Sequence, residues 1–250
     1  MAQQPTHSTQ PESRLTMPLL PRTLLPTLFS SLSRATSTPT RWTLLRKLKS
    51  ENPNDIVGEL RGSATFTPLR SSPTASTSTT ITTDPNPGTS ASPDAETDQE
   101  LLYSEEGSLP ASFGPGLSWT KKYIWRFTRD GNVSVWFVKV DKKQDAEEEP
   151  DYLFHQFDFG LSPSAPGSGT DVVSGEELVT PPTPPEVPSA ATTKVIAARG
   201  SHLCINDMYR TAYAFRVEEG SGEVVSWASR HVVRGPKKGQ DIVNLYSREL

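Results

Sequence analysis

The chain has 250 residues, a formal net charge of −4 and 23 prolines, so it carries no global basic field for nucleic acid and much of its length lies outside any packed core. A single cysteine excludes an intrachain disulfide and any cysteine-rich zinc motif, and fits the reducing conditions of a cytoplasmic or nuclear location. No run approaches the roughly 20 apolar residues of a membrane helix, so no membrane span is expected.

Residues 1–26 are rich in Pro, Ser, Thr and Gln and read as a disordered tail. The stretch 17–49 holds six basic residues and no acid, the composition of a mitochondrial transit peptide, but Pro18, Pro21 and Pro26 oppose the amphipathic helix such a peptide needs. The apolar run 28–32 suits a short plug or helix ahead of the first strand.

From Trp42 the apolar residues recur with a period of two, the mark of a strand with one face inward. Residues 42–49 put Trp42, Leu44, Arg46 and Leu48 on one face, and 58–66 do the same with Leu60, Gly62, Ala64 and Phe66. A Ser/Thr/Pro-rich tract follows, giving a disordered insertion over 70–99. Strand character returns at 101–107 and again at 117–127, where Trp119, Lys121, Tyr123, Trp125 and Phe127 share a face. Asp130 and Gly131 lie between that strand and 133–138, predicting a hairpin with a type I′ turn. Beyond an acidic loop, 152–159 alternates Tyr152 and Phe154 against Leu153, His155, Phe157 and Phe159, so His155 sits on an apolar face. A second disordered insertion spans 160–192; its proline run 180–185 could dock on an SH3 or WW domain, or be a bare spacer. Four further strands, 194–203, 208–217, 224–233 and 242–248, complete about ten.

Consecutive short-linked strands without helical crossovers imply an antiparallel meander, which hides its edges most readily by closing. The expected fold is all-β: one up-and-down antiparallel barrel of about ten strands over 27–250, with the tail and two insertions disordered.

Several spaced motifs recur along these strands: Trp42, Leu44, Arg46 and Leu48; Gly62, Ala64 and Phe66; Tyr103, Glu105 and Gly107; His202, Cys204, Asp207, Tyr209, Tyr213 and Phe215; Gly235 to Lys238; and Tyr246 with Arg248. In order and spacing they resemble the uncharacterised fungal and bacterial family called domain of unknown function 6314, over 28–250 apart from the insertions. The resemblance implies a calycin or lipocalin-like barrel and lends no activity. This chain departs from the family pattern at Thr40 and Arg41, where a glycine precedes the tryptophan, and at Gly239 and Gln240, where an Asp-Tyr pair follows the basic residues.

His202, Cys204 and Asp207 could join His155 as zinc ligands. Strand parity opposes this, since 202 and 204 share a face and 207 lies on the other unless Asn206 and Asp207 make a turn. Cys204 then reads as a core residue and Asp207 as a turn residue, with no metal site. A Cys204–His202 nucleophile pair lacks an orienting third group. No phosphate loop, His-Glu-x-x-His or nucleophile elbow is present, and no catalytic residue or cofactor is assigned. Haem would need His155, His202 or His231 as its axial residue, and the spacing does not select it.

A different group stands out because its members are polar, ionisable or aromatic in the midst of apolar strands: Arg46, Tyr103, Glu105, Trp125, His155, His202, Asp207, Tyr209, Tyr213 and Arg248. Barrels that bind small molecules line their interior in this way. Arg46 and Glu105 would pair inside, either in a pocket or simply as a tie across the barrel. The sequence therefore points to a non-catalytic barrel holding a small hydrophobic or anionic ligand. Its alternatives are a barrel enzyme using His155 or His202 with Glu105 or Asp207, and an interaction module acting through the proline-rich insertions.

Overall fold

A computed structural model describes residues 23–33, 40–69, 97–140, 148–159, 179–188, 192–236 and 238–249. The period-two segments form ten strands: β1 (Arg41–Ser50), β2 (Gly58–Pro68), β3 (Thr97–Ser108), β4 (Ser118–Thr128), β5 (Val133–Val138), β6 (Pro150–Gln156), β7 (Thr193–Cys204), β8 (Asp207–Glu218), β9 (Val224–Gly235) and β10 (Lys238–Arg248). Every pairing is antiparallel, and each strand except β6 bonds the next in sequence, with β1 also pairing with β10. The meander closes almost completely. Its seam lies between β6 and β7, where Asp158 and Arg199 exchange backbone hydrogen bonds of 2.7 and 2.9 Å. The all-β, ten-strand, up-and-down barrel is therefore present.

One end is plugged. A helix α1 (Leu24–Ser31) turns Leu25, Leu28 and Phe29 into the barrel, where Phe29 stacks on Phe127 with centroids 5.5 Å apart. Two tethers hold it: Trp42 Nε1 donates to the Leu32 carbonyl at 3.2 Å, and the Val224 amide donates to Ser31 Oγ at 2.9 Å. The helix starts inside the stretch read as tail; residues 1–22 lie outside the described residues.

Three local features depart from simple alternation. Between β4 and β5 only Gly131 has positive φ (+83°), and its amide donates to the Thr128 carbonyl at 2.9 Å. A type I′ turn needs positive φ at both central residues, so the connection is instead a three-residue turn ending in a left-handed glycine. In β6 the register shifts between Val135 and Trp136, so that His155 opposes Val135 while Leu153 opposes Trp136. The bulge lets Phe154 and His155 both turn inward. At the β7–β8 hairpin Ile205 and Asn206 form the turn and Cys204 pairs with Asp207, which returns Asp207 to the face of Cys204.

The second insertion is not bare linker throughout. Residues 179–188 lie on the outer face of β8 and β9: Arg216 donates to the carbonyls of Pro184 and Pro185 at 3.3 and 3.1 Å and reaches Glu186 at 2.6 Å, and Ser226 Oγ donates to the Pro185 carbonyl at 2.6 Å. The remainder of that stretch, 160–178 and 189–191, and of the first, 70–96, lies outside the described residues. No described helix is long and apolar enough to cross a membrane.

Candidate functional site

Inward-facing side chains form layers from the plugged base to the open mouth. Above α1, Phe66, Trp125, Trp227 and Phe215 interlock, with Phe66 and Trp125 centroids 5.1 Å apart. Tyr246 lies flat on Trp227 at 3.5 Å between centroids. A polar row crosses the barrel above these rings, and a cavity of about 380 Å³ opens over it toward the mouth.

The row is continuous. Tyr246 and Tyr103 share a hydroxyl hydrogen bond of 2.8 Å, and Tyr103 donates to Glu105 Oε2. Arg46 Nη2 reaches both oxygens of Glu105 at 2.7 and 2.9 Å, while its Nε donates to Asn244 Oδ1 at 2.7 Å. Asn244 Nδ2 then donates to Ser229 Oγ at 2.9 Å, which contacts His231 Nε2 at 3.1 Å. The guanidinium also lies 4.6 Å from the centre of the Trp119 ring. Gly107 permits this: a Cβ there would come within 2.6 Å of that ring. Arg46 and Glu105 side chains are only 7 % and 2 % exposed, so each needs the other to offset its desolvation.

These surroundings set the protonation states. Burial lowers the Arg46 guanidinium's basicity, but Glu105 and the adjacent tyrosines outweigh it and hold the group above its ordinary value. Burial raises Tyr103, Tyr213 and Tyr246 well above the usual phenol range, and burial with the Glu105 charge pushes Tyr123 up to about 12, so all four stay phenols. Burial likewise keeps His231 neutral, and burial reinforced by His202 lowers His155 to about 3.

Seven of the ten residues singled out in the sequence border the cavity: Arg46, Tyr103, Glu105, Trp125, His202, Tyr209 and Tyr213. The other three do not. His155 lies behind the wall with Nε2 against the Tyr213 hydroxyl at 3.0 Å, and its Nδ1 has no hydrogen-bond partner among the described residues. Asp207 stands at the rim and holds Lys238 at 3.0 Å; Lys238 also donates to the Tyr209 hydroxyl at 3.0 Å, and these two bonds raise its basicity. Arg248 lies at the base, where it donates to the Val224 carbonyl and covers the Trp42 ring at 5.4 Å.

Among the described hydrogen bonds neither His155 nor His202 meets Glu105 or Asp207, and His202 is packed among Phe154, Tyr209 and Tyr152 rings. Among the described residues no three His, Cys, Asp or Glu side chains converge as metal ligands.

Several wall residues escaped selection in the sequence: Lys121, Tyr123, Ser229, His231, Asn244 and Tyr246. The signal for Lys121 and Tyr123 was available, because they alternate in step with Trp125 and Phe127. Asn244 and Ser229 oppose one another across β10 and β9, a pairing that one strand alone does not reveal.

No curated protein and no solved structure matches the chain. A family model matches residues 39–173 and 186–248, from the residues just before β1 to the end of β10, and so includes Arg46, Glu105 and Asn244 of the polar row but not α1. The chain belongs to this family, the family of unknown function DUF6314.

Proposed function

We propose that the barrel binds a small, flat, largely apolar molecule in its interior, and does so without transforming it. The observation that carries this reading is the cavity of about 380 Å³ whose sides are Tyr, Trp and Phe rings and whose floor is the polar row. Its volume falls within the roughly 300–1,000 Å³ typical of small-molecule pockets. Each polar group of the row already has a partner within it, which suits a fixed recognition surface that needs no rearrangement when a ligand arrives. Calycin-like barrels have the same plan, one closed end and one open mouth, and this supports the reading by analogy of architecture alone.

The test is a titration of the full chain with the neutral dye N-phenyl-1-naphthylamine, followed by energy transfer from tryptophan. Trp125 and Trp227 border the cavity, so saturable transfer at one dye per chain is expected. Replacing Ile242, another wall residue, by Trp fills the space and should abolish that binding. Absence of saturable binding, or equal affinity in Ile242→Trp, would refute lumenal binding.

A further inference from the structure

Three charged side chains line the cavity: Arg46, Glu105 and Lys121. The first two satisfy one another, and Tyr103 and Asn244 take up further bonding positions on them. Lys121 is different. It stands directly across from Glu105 in the β3–β4 register, yet it makes no hydrogen bond or ion pair among the described residues. Its side chain is exposed to water and borders the lumen. Lys238, also near the mouth, is engaged by Asp207 and Tyr209. Among the described residues the lumen thus holds two cations against one carboxylate, a surplus of one positive charge.

We infer that the lumenal ligand is a monoanion whose carboxylate or sulfonate-type group seats on the Lys121 ammonium, while its apolar body lies against Trp125, Tyr123 and Phe154. This rests on the lumenal binding proposed above and names the class of ligand. A single surplus charge in a partly enclosed, ring-walled site favours one negative charge of low hydration, because a dianion would leave a charge unpaired there. Lys121 itself records the strain of standing alone: burial, then the nearby Arg46 cation, lower its basicity, against a smaller opposing pull from Glu105. An anion beside it reverses that balance. The apolar part of such a ligand would meet a continuous stack, since Tyr123 lies parallel to Phe154 with centroids 5.8 Å apart.

The experiment compares two dyes of one skeleton at neutral pH: 1-anilinonaphthalene-8-sulfonate, which carries the anion, and N-phenyl-1-naphthylamine, which lacks it. Wild-type protein is expected to bind the sulfonate about tenfold more tightly, the size of one charge-assisted contact in a sheltered site. Lys121→Met should bring the two dyes within about twofold by weakening the sulfonate alone, and Lys121→Arg should retain the preference. Lys122→Met alters an outward-facing lysine paired with Glu148 and should leave both affinities unchanged. Far-ultraviolet circular dichroism and thermal midpoints identify any unfolded variant, and Lys121→Arg keeps the charge where Lys121→Met proves unstable. Equal wild-type affinities, or a sulfonate preference that survives Lys121→Met, overturn the anion assignment and leave lumenal binding standing. If neither dye binds the wild type, both readings fall together.

Discussion

The two ends of the barrel are built by the same strands and the same inward alternation, yet one is filled and the other open. At the base, Trp42, Phe29 and Phe127 have 0 %, 0 % and 3 % exposure, and Trp42 Nε1 and the Val224 amide are tethered to Leu32 and Ser31. Toward the mouth the inward positions pass to Tyr123, Lys121, His202 and Tyr209, and the space between them remains empty of side chains. The difference shows a division of labour within one sheet: burial at the base stabilises the fold, which allows the upper half to keep polar groups and a cavity that contribute little to stability. The proposed binding end is therefore the end that the fold can best spare.

The largest expected effect tests the filled end. Trp42→Ala should lower the unfolding free energy by about 3–5 kcal/mol, the range for truncating a buried aromatic, with the Trp42–Leu32 hydrogen bond also lost. Urea denaturation of the full chain measures it, and a loss below about 1 kcal/mol would show that α1 does not seal the base. Next comes the boundary between the ends. Glu105→Gln leaves the Arg46 charge without its partner and should cost about 3 kcal/mol, the lower end for a broken buried pair because water reaches the row through the cavity. The double variant Arg46→Met with Glu105→Leu should recover much of that loss while weakening dye binding. An undiminished dye affinity in the folded double variant would remove the polar row from the recognition surface.

How much of this was legible in the sequence depended on what periodicity encodes. Parity names the face of a strand, and Arg46, Glu105 and Tyr103 meet on one face because β1, β2 and β3 pair without a register shift. It does not name the height along the barrel axis. Arg248 shares the inward face with Tyr246 but lies two residues nearer the base, under Trp42, and so belongs to the plug. Parity also fails across a bulge or a turn. The shift in β6 turned Phe154 and His155 inward together, and the Ile205–Asn206 turn moved Asp207 to the face of Cys204. Composition, finally, marks a segment as unable to make its own core but does not see a host surface. Arg216 and Ser226 supply donors to the prolyl carbonyls at 184 and 185, and that is why the proline run lies on the barrel.

Acid should then separate the interior histidines from the surface. In the fold burial holds His155 neutral down to about pH 3, whereas in the unfolded chain an imidazole takes up its proton near pH 6.5. The contribution of His155 to stability is therefore complete above pH 6.5 and is lost progressively as the pH falls toward 3. The slope is about 1.4 kcal/mol per pH unit, or about 2 kcal/mol between pH 6.5 and 5, above the range where carboxylates dominate. His155→Phe should take about 1.4 kcal/mol per pH unit off the slope in that window and leave the part due to the equally buried His231, as measured by denaturation at several pH values; an unchanged slope would mean that His155 gains a proton within the fold.

The smallest effect belongs to the mouth and has the opposite sign. Ile205 is β-branched, 88 % exposed and held at φ +56°, a left-handed conformation that costs an L residue roughly 1–2 kcal/mol. It has no burial to offset that cost. Asn tolerates the same conformation, because its short polar side chain bonds locally. Ile205→Asn should thus raise stability by about 0.5–1 kcal/mol and leave dye affinity unchanged, since Ile205 does not line the cavity. A rise in thermal midpoint with unaltered binding would show that the strain at the mouth is incidental to the site. A gain in stability accompanied by weaker binding would instead place the turn, and with it the pairing of Cys204 and Asp207, among the elements that shape the open end.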